Sequence, residues 1–106
     1  MFVAYDVSLE VIGHLRGLMP AIKRADRNLA DQIGRAATSV ALNLSEGRHR
    51  TGGDQRKLWE VAHGSAAEVR AALEVGVAWG WIDHDAQLHA TLGRLLALLW
   101  GLTRRR

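Results

Sequence analysis

Residues 31–47 read DQIGRAATSVALNLSEG, and residues 64–83 read GSAAEVRAALEVGVAWGWID. In both stretches the apolar residues recur every three or four positions, the spacing of a helix with one buried face. Alanine, glycine and serine fill positions where two helices would touch. A short basic segment joins the stretches after Glu46-Gly47, where we expect the first helix to stop. This pattern predicts a helical hairpin at the centre of the chain.

The same periodicity continues on both sides of the hairpin and predicts four helices and no strand. The predicted helices run from Ser8 to Arg24, from Asn28 to Glu46, from Asp54 to Trp79 and from Asp83 through Leu102. Pro20 lies inside the first helix, where it predicts a kink near Leu18. Short connections make neighbouring helices antiparallel, so the expected fold is all-α, an up-down-up-down antiparallel four-helix bundle.

The predicted helix ends depend on residues that satisfy unpaired backbone groups. Serine, aspartate and asparagine accept hydrogen bonds from the first N–H groups of a helix. The predicted N-caps are Ser8, either Asp26 or Asn28, then Asp54 and Asp83. Gly80 supplies the left-handed residue that ends the third helix.

The composition limits the class of protein. A chain of 106 residues corresponds to one domain, which we place at residues 1–103, followed by a basic tail at 104–106. The absence of cysteine excludes disulfides and thiolate metal sites and suits a cytoplasmic protein. The first residues lack the basic region of a signal peptide. The apolar run at 95–102 is too short to cross a membrane, so no membrane partner is expected.

The charges are distributed unevenly. The net charge is +3, and Arg104, Arg105 and Arg106 supply three of the fourteen cations. The remaining eleven Lys and Arg balance eleven Asp and Glu, so attraction to nucleic acid must come from local clusters. One cluster lies at 48–57, where Gly52 and Gly53 predict a mobile loop that contacts phosphate. Its cations are Arg48, Arg50, Arg56 and Lys57. A solvated loop without a ligand is the alternative.

Several motifs of the central pair together resemble one family. These are Asn43-Leu44-Ser45-Glu46-Gly47, Gly64-Ser65 followed by Glu68-Val69, and Trp79-Gly80-Trp81-Ile82. They resemble bacterial four-helix-bundle proteins, some of which are encoded in intervening sequences of 23S ribosomal RNA genes. The accessory protein of diversity-generating retroelements is a relative of this family.

The resemblance implies a homopentameric ring of bundles with no known catalytic centre. For the retroelement relative it implies binding to a reverse transcriptase and its RNA. This chain departs from the family pattern at Ala41, where many members carry proline. It departs again at Gln55, where an aromatic residue is common.

The polar residues of these motifs are interpreted as structural. Asn43 lies close to the predicted core face, and a buried amide without a partner costs about 1–3 kcal/mol. We therefore expect it to hydrogen-bond to Ser39 or Ser65. Glu46 lies in the last turn of its helix, where the macrodipole disfavours a carboxylate. A nearby cation is expected to compensate.

The glycines inside helices predict close packing. A mid-helix glycine costs about 1 kcal/mol relative to alanine, and close approach of two backbones can offset that cost. Gly64, beside Ser65, is therefore expected to mark a tight helix crossing, and Gly13 and Gly17 are interpreted in the same way.

The four tryptophans are assigned to packing or to contacts between copies of the chain. Trp81 is expected to anchor the bundle end, and Trp100 to continue the leucine face of the fourth helix. Trp59 and Trp100 are the candidate oligomer contacts.

No enzymatic site is predicted. Glu60-x-x-His63 has the spacing of a di-iron bundle ligand pair, but the other helices lack inward carboxylates. No metal, cofactor or catalytic residue is expected. A hydrolytic or di-metal enzyme is the least favoured alternative.

The leading hypothesis is a non-enzymatic oligomeric adaptor that contacts RNA, an RNA–protein complex or a nucleic-acid-processing protein. Arg48, Arg50, Arg56 and Lys57 would bind phosphates, and Arg104, Arg105 and Arg106 would add charge. The alternative is a protein-interaction scaffold with no affinity for nucleic acid.

Overall fold

The computed structural model describes residues 1–104, which form four α-helices. These are α1 (Val3–Ala25), α2 (Arg27–Arg48), α3 (Gly52–Ala78) and α4 (Ala86–Thr103). Each helix packs against two neighbours in the order α1, α2, α3, α4 and back to α1. The resulting antiparallel bundle measures 42 × 23 × 21 Å. The predicted four-helix bundle is confirmed.

The core is a column of aliphatic side chains to which every helix contributes. Fully buried members include Ile22 of α1, Ile33 and Leu44 of α2, Val69 of α3, and Leu92 and Leu99 of α4. Burying such a side chain stabilises the fold by about 1.5–3 kcal/mol. Among residues 1–104, none of the helices combines the length and apolar character needed to cross a membrane.

Three of the predicted N-caps are wrong, namely Ser8, Asp54 and Asp83. Ser8 is buried inside α1, where its hydroxyl donates to the Tyr5 carbonyl at 2.6 Å. The helix begins earlier, at Val3, because nothing in the preceding residues breaks it. Asp83 lies outside α4. Asp85 caps that helix instead, with its carboxylate accepting from the Leu88 N–H at 2.9 Å.

The first residues of α2 and α3 show which residues occupy their N-cap positions. Asp26, rather than Asn28, occupies the N-cap position of α2, although its side chain makes no capping hydrogen bond. Thr51 occupies the N-cap position of α3. The predicted cap, Asp54, therefore lies in the first turn of α3 instead.

A polar contact joins α2 to α3 midway along the bundle. The Ser39 and Ser65 hydroxyl oxygens lie 2.9 Å apart. The Asn43 side-chain amide donates to the Ser39 carbonyl at 2.9 Å and to the Ser39 hydroxyl at 3.1 Å. The expected hydrogen bonding of Asn43 to Ser39 is confirmed. We call Ser39, Asn43 and Ser65 the serine–asparagine bridge.

Some of the predictions for the glycines are wrong and one is confirmed. Gly64, Gly13 and Gly17 do not mark helix crossings within the bundle, because a Cβ at each would meet no atom within 4 Å. The close approach lies at Gly76, where a Cβ would come within 3.2 Å of the Ile82 side chain. Gly80 has a φ of 79°, as the predicted left-handed residue after α3 requires.

Candidate nucleic-acid interface

The antiparallel arrangement gathers the candidate cations at one end of the bundle. The start of α1, the turn between α2 and α3, and the end of α4 meet there. We call this the basic end. It carries Arg48, Arg50, Arg56, Lys57 and Arg104. Arg105 and Arg106 lie outside the described residues.

The segment predicted as a mobile loop is mostly helical. Only residues 49–51 connect α2 to α3, and α3 begins at Gly52, which has a φ of 59°. Arg56 and Lys57 therefore lie on a helix. The Gln55 side-chain amide donates to the Gly47 carbonyl at 3.1 Å and to the Arg50 carbonyl at 2.9 Å. These two hydrogen bonds hold the turn between α2 and α3 in place, so the side-chain amide of Gln55 has a structural role.

Gly47 makes room for a tryptophan instead of ending its helix. The helix α2 continues to Arg48, so the expected stop at Gly47 is wrong. A Cβ at Gly47 would lie 2.5 Å from Nε1 of Trp59. The indole N–H points to the Leu44 carbonyl at 3.4 Å, and its ring lies 5.6 Å from that of Phe2. The indole thereby joins α3 to both α2 and α1.

Arg48 lies against aromatic rings of α1. Its guanidinium carbon is 5.0 Å from the ring centroid of Phe2 and 5.3 Å from that of Tyr5. Such stacking restrains an arginine without removing its charge. The sequence reasoning missed this contact. The sequence feature that could have indicated it is a pair of aromatic residues three positions apart at the start of α1. The end of the antiparallel helix α2 lies beside this pair.

Arg50 and Arg104 also have partners within the chain. Arg50 forms an ion pair with Glu46, with both side chains about half exposed at 50% and 52%. This pair confirms the expected cation beside Glu46. The Arg104 guanidinium lies 4.3 Å above the ring centroid of Trp100. Each arginine is thus held in place at the rim of the basic end.

The two candidate interface tryptophans differ in exposure. Trp59 is half-buried by the contacts described above. Trp100 is 54% exposed, so it does not continue the buried leucine face of α4. His63 approaches it edge-on at 6.1 Å, and a shallow depression beside it is lined by Gly64 and Ala67. Trp100 is therefore the more available contact for another molecule.

Carboxylates share this end, and none forms a metal centre. Asp6 and Asp54 lie on the first turns of α1 and α3, and Glu60 lies between one and two turns further along α3. Within residues 1–104 no group of three or more His, Asp or Glu side chains is arranged to hold a metal ion. The chemistry available at this end is charge, aromatic stacking and hydrogen bonding.

Known proteins match the chain in sequence and in fold. The sequence model described as 23S rRNA-intervening sequence protein matches residues 4–101. The fold is similar to the crystal structure of a protein with unknown function from the S23 ribosomal protein family of Bacteroides thetaiotaomicron VPI-5482. The TM-score is 0.83 at 19% identity, over 96% of this chain and 99% of that chain. No curated protein matches the sequence. Neither match indicates a catalytic family.

Proposed function

Because the chain belongs to the 23S rRNA-intervening sequence protein family, we propose that it is a non-enzymatic oligomeric adaptor that contacts RNA through its basic end. The contact is with RNA alone or with RNA in a complex with protein. The observation that carries the proposal is the convergence of the loop cations and Arg104 on one end of the bundle.

Phosphate contact suits this end for two physical reasons. Arg48 and Arg104 are restrained by aromatic rings, and their outward N–H groups remain able to donate to phosphate oxygens. The N-terminus of α3 lies between Arg48 and Arg104 in the sequence, and its N-cap residue makes no side-chain capping hydrogen bond. Its exposed N–H groups add partial positive charge beside Arg56 and Lys57. Such contacts bind the RNA backbone with little preference for base sequence.

Fluorescence anisotropy with a labelled RNA hairpin tests the proposal. The full chain and a chain ending at Thr103 are titrated at about 50 and 200 mM salt, a range over which phosphate contacts weaken strongly. Both proteins are expected to bind at low salt and to lose affinity at high salt. Binding by the full chain alone would assign the contact to residues 104–106, and absence of binding would overturn the proposal.

A pair of double variants localises the contact. Arg48→Ala/Arg50→Ala is expected to weaken RNA binding by roughly tenfold, because two phosphate contacts are lost. Lys23→Ala/Arg24→Ala removes two cations from the last turn of α1, at the opposite end, and serves as the matched control. Equal weakening by both variants would show that only net charge matters and would remove the basic end from the proposal.

The oligomer is part of the same proposal. We expect five copies, in contact through the depression beside Trp100. Gly64 supports this surface because it is exposed in mid-helix and has no packing partner in its own bundle. Gly64→Leu is expected to lower the mass measured by light scattering, whereas Gly17→Leu on α1 leaves it unchanged. Both variants are expected to stay helical by circular dichroism, since leucine forms helices better than glycine. A monomeric wild-type protein at micromolar concentration would contradict the oligomer.

A protein-interaction scaffold is the second candidate. It is favoured by the intramolecular partners of Arg48, Arg50 and Arg104, which give each arginine a structural role without RNA. In that case the wild-type protein retains its oligomeric mass but binds no RNA hairpin at low salt.

A further inference from the structure

The end opposite the basic end carries an apolar groove of about 300 Å³ between α3 and α4. Its floor is formed by the buried side chains of Leu88 and Leu92, and one wall by Leu73 and Val77. We call it the α3–α4 groove. Its lining residues recur every three or four positions on two packed helices, which leaves a channel that a third helix can follow.

Backbone hydrogen bonds hold the segment that connects α3 to α4 beside the groove. After α3, the N–H groups of Trp81 and Ile82 donate to the Gly76 carbonyl at 2.9 and 3.4 Å. The Ile82 side chain lies against Gly76, and Asp85 caps α4. The connecting segment is therefore ordered, and a partner would not have to meet the entropic cost of ordering it.

The charged rim of the groove is mostly acidic. Glu74, Asp83 and Asp85 line the part nearest the connecting segment, whereas Arg70 lies one turn deeper along α3. Asp85 is engaged by the start of α4, so Glu74 and Asp83 are the exposed carboxylates. This charge repels RNA and favours a cationic occupant.

An aromatic pair extends the surface beyond the groove. Trp79 and Trp81 stack with ring centroids 5.6 Å apart and an interplanar angle of 13°. Trp79 is 68% exposed, whereas Trp81 is partly buried and packs against the core. Exposed aromatic side chains beside an apolar groove are characteristic of surfaces that bind another protein.

We propose that the α3–α4 groove binds an amphipathic helix of a protein partner. The partner's apolar residues, spaced three and four apart, occupy the channel, as in other helix-in-groove complexes. A lysine or arginine of the partner faces Glu74 and Asp83. This site lies at the opposite end from the proposed RNA contact and does not depend on it.

A phage-displayed library of random peptides about 16 residues long, enough for four helical turns, identifies the preferred occupant. The full wild-type chain is the bait, and Ala78→Trp, which places an indole in the groove, is the counter-selection. Enriched peptides are expected to carry apolar residues at helical spacing and an excess of Lys and Arg. Acidic peptides, peptides without that spacing, or equal capture by Ala78→Trp would overturn the proposal.

Charge reversal of two exposed residues provides a test that does not depend on filling the groove with a larger side chain. Glu74→Lys/Asp83→Lys is expected to weaken an enriched peptide at least tenfold by fluorescence anisotropy. The matched control Glu10→Lys/Glu68→Lys makes the same change of charge at residues that do not line the groove. Equal weakening by both would show non-specific attraction. Loss of oligomeric mass in Glu74→Lys/Asp83→Lys would assign the groove to a second copy and overturn the proposal.

Discussion

The two ends of the bundle use the same residue types in different ways. At the basic end, Trp59 of α3 lies on Gly47 of α2 and against Phe2 at the start of α1. This contact joins three helices through residues that are distant in sequence. At the groove end, Gly76 accepts Ile82, six residues later. The contact at Gly76 is thus made mainly by a residue close in sequence, with Leu29 of α2 beside it, whereas the contact at Gly47 exists only when helices distant in sequence are packed together. A change in helix packing should therefore disturb the Gly47 contact more than the Gly76 contact.

The two close-packed glycines test this difference most strongly. Gly47→Ala places a methyl group against the rigid Trp59 indole, and we expect it to lower the free energy of unfolding by about 1–3 kcal/mol. A methyl group at position 76 would lie 3.2 Å from Cγ1 and 3.3 Å from Cδ1 of Ile82, and 3.4 Å from Cδ2 of Leu29, which is looser than the contact at Gly47. The cost of Gly76→Ala should therefore stay within about 1 kcal/mol, because alanine also favours the helix. Urea denaturation measures both. An equal or larger loss for Gly76→Ala would break the comparison.

The next effect concerns the groove end. Asp85→Ala removes the only side-chain cap found among the four helices of residues 1–104. It is expected to cost about 1 kcal/mol of stability, as losses of N-caps do. Asp83→Ala, two residues earlier, is the control and should change stability by less than about 0.5 kcal/mol. Thermal unfolding followed by circular dichroism distinguishes the two. Equal effects would show that the cap is not what orders the start of α4.

Arg48 tests whether a cation of the basic end is also structural. Arg48→Ala removes the stacking on Phe2 and Tyr5 and is expected to cost about 0.5–1 kcal/mol, the range of exposed cation–π contacts. Lys57→Ala, on the exposed side of α3, should leave stability unchanged. If the two variants unfold at the same urea concentration, Arg48 is not held by the aromatic rings. The same pair in the RNA assay separates lost charge from lost structure.

The smallest expected effect on stability is at Glu46. Glu46→Gln breaks the exposed ion pair with Arg50 and should cost only a few tenths of a kcal/mol. RNA affinity is expected to rise at the same time, because Arg50 gains freedom to contact phosphate and one negative charge is removed. Anisotropy at low salt measures this change. A fall in RNA affinity would mean that the pair positions Arg50 for binding.

The number of helices and the core were predictable because apolar spacing records which face of a helix is buried. Leu88, Leu92, Leu95 and Leu99 are buried as their spacing predicts. The same holds for the Asn43 contacts and the cation beside Glu46, since both follow from the cost of an unpartnered polar group. These predictions depend on one helix or on two adjacent helices.

The predictions that failed depend on three-dimensional neighbours. Gly47 and Gly64 are both glycines of amphipathic helices, but only Gly47 lies under a tryptophan of another helix. Likewise Asp83 and Asp85 are equivalent as potential caps in the sequence. Which of them caps α4 depends on the path of the segment between the helices, where the N–H groups of residues 81 and 82 donate to the Gly76 carbonyl. The stacking of Arg48 also requires the antiparallel placement of α1.

The serine–asparagine bridge has a geometrical consequence. Sliding α3 past α2 by one turn, about 5.4 Å, would separate the Ser39 and Ser65 hydroxyls, so the register of the two helices is fixed. Lys57 at one end and Glu74 at the other belong to this same unbroken helix. Their separation of 17 positions along the chain corresponds to about 26 Å along the helix axis. The α3 helix therefore keeps a constant distance between a molecule bound at the basic end and a molecule bound at the groove end.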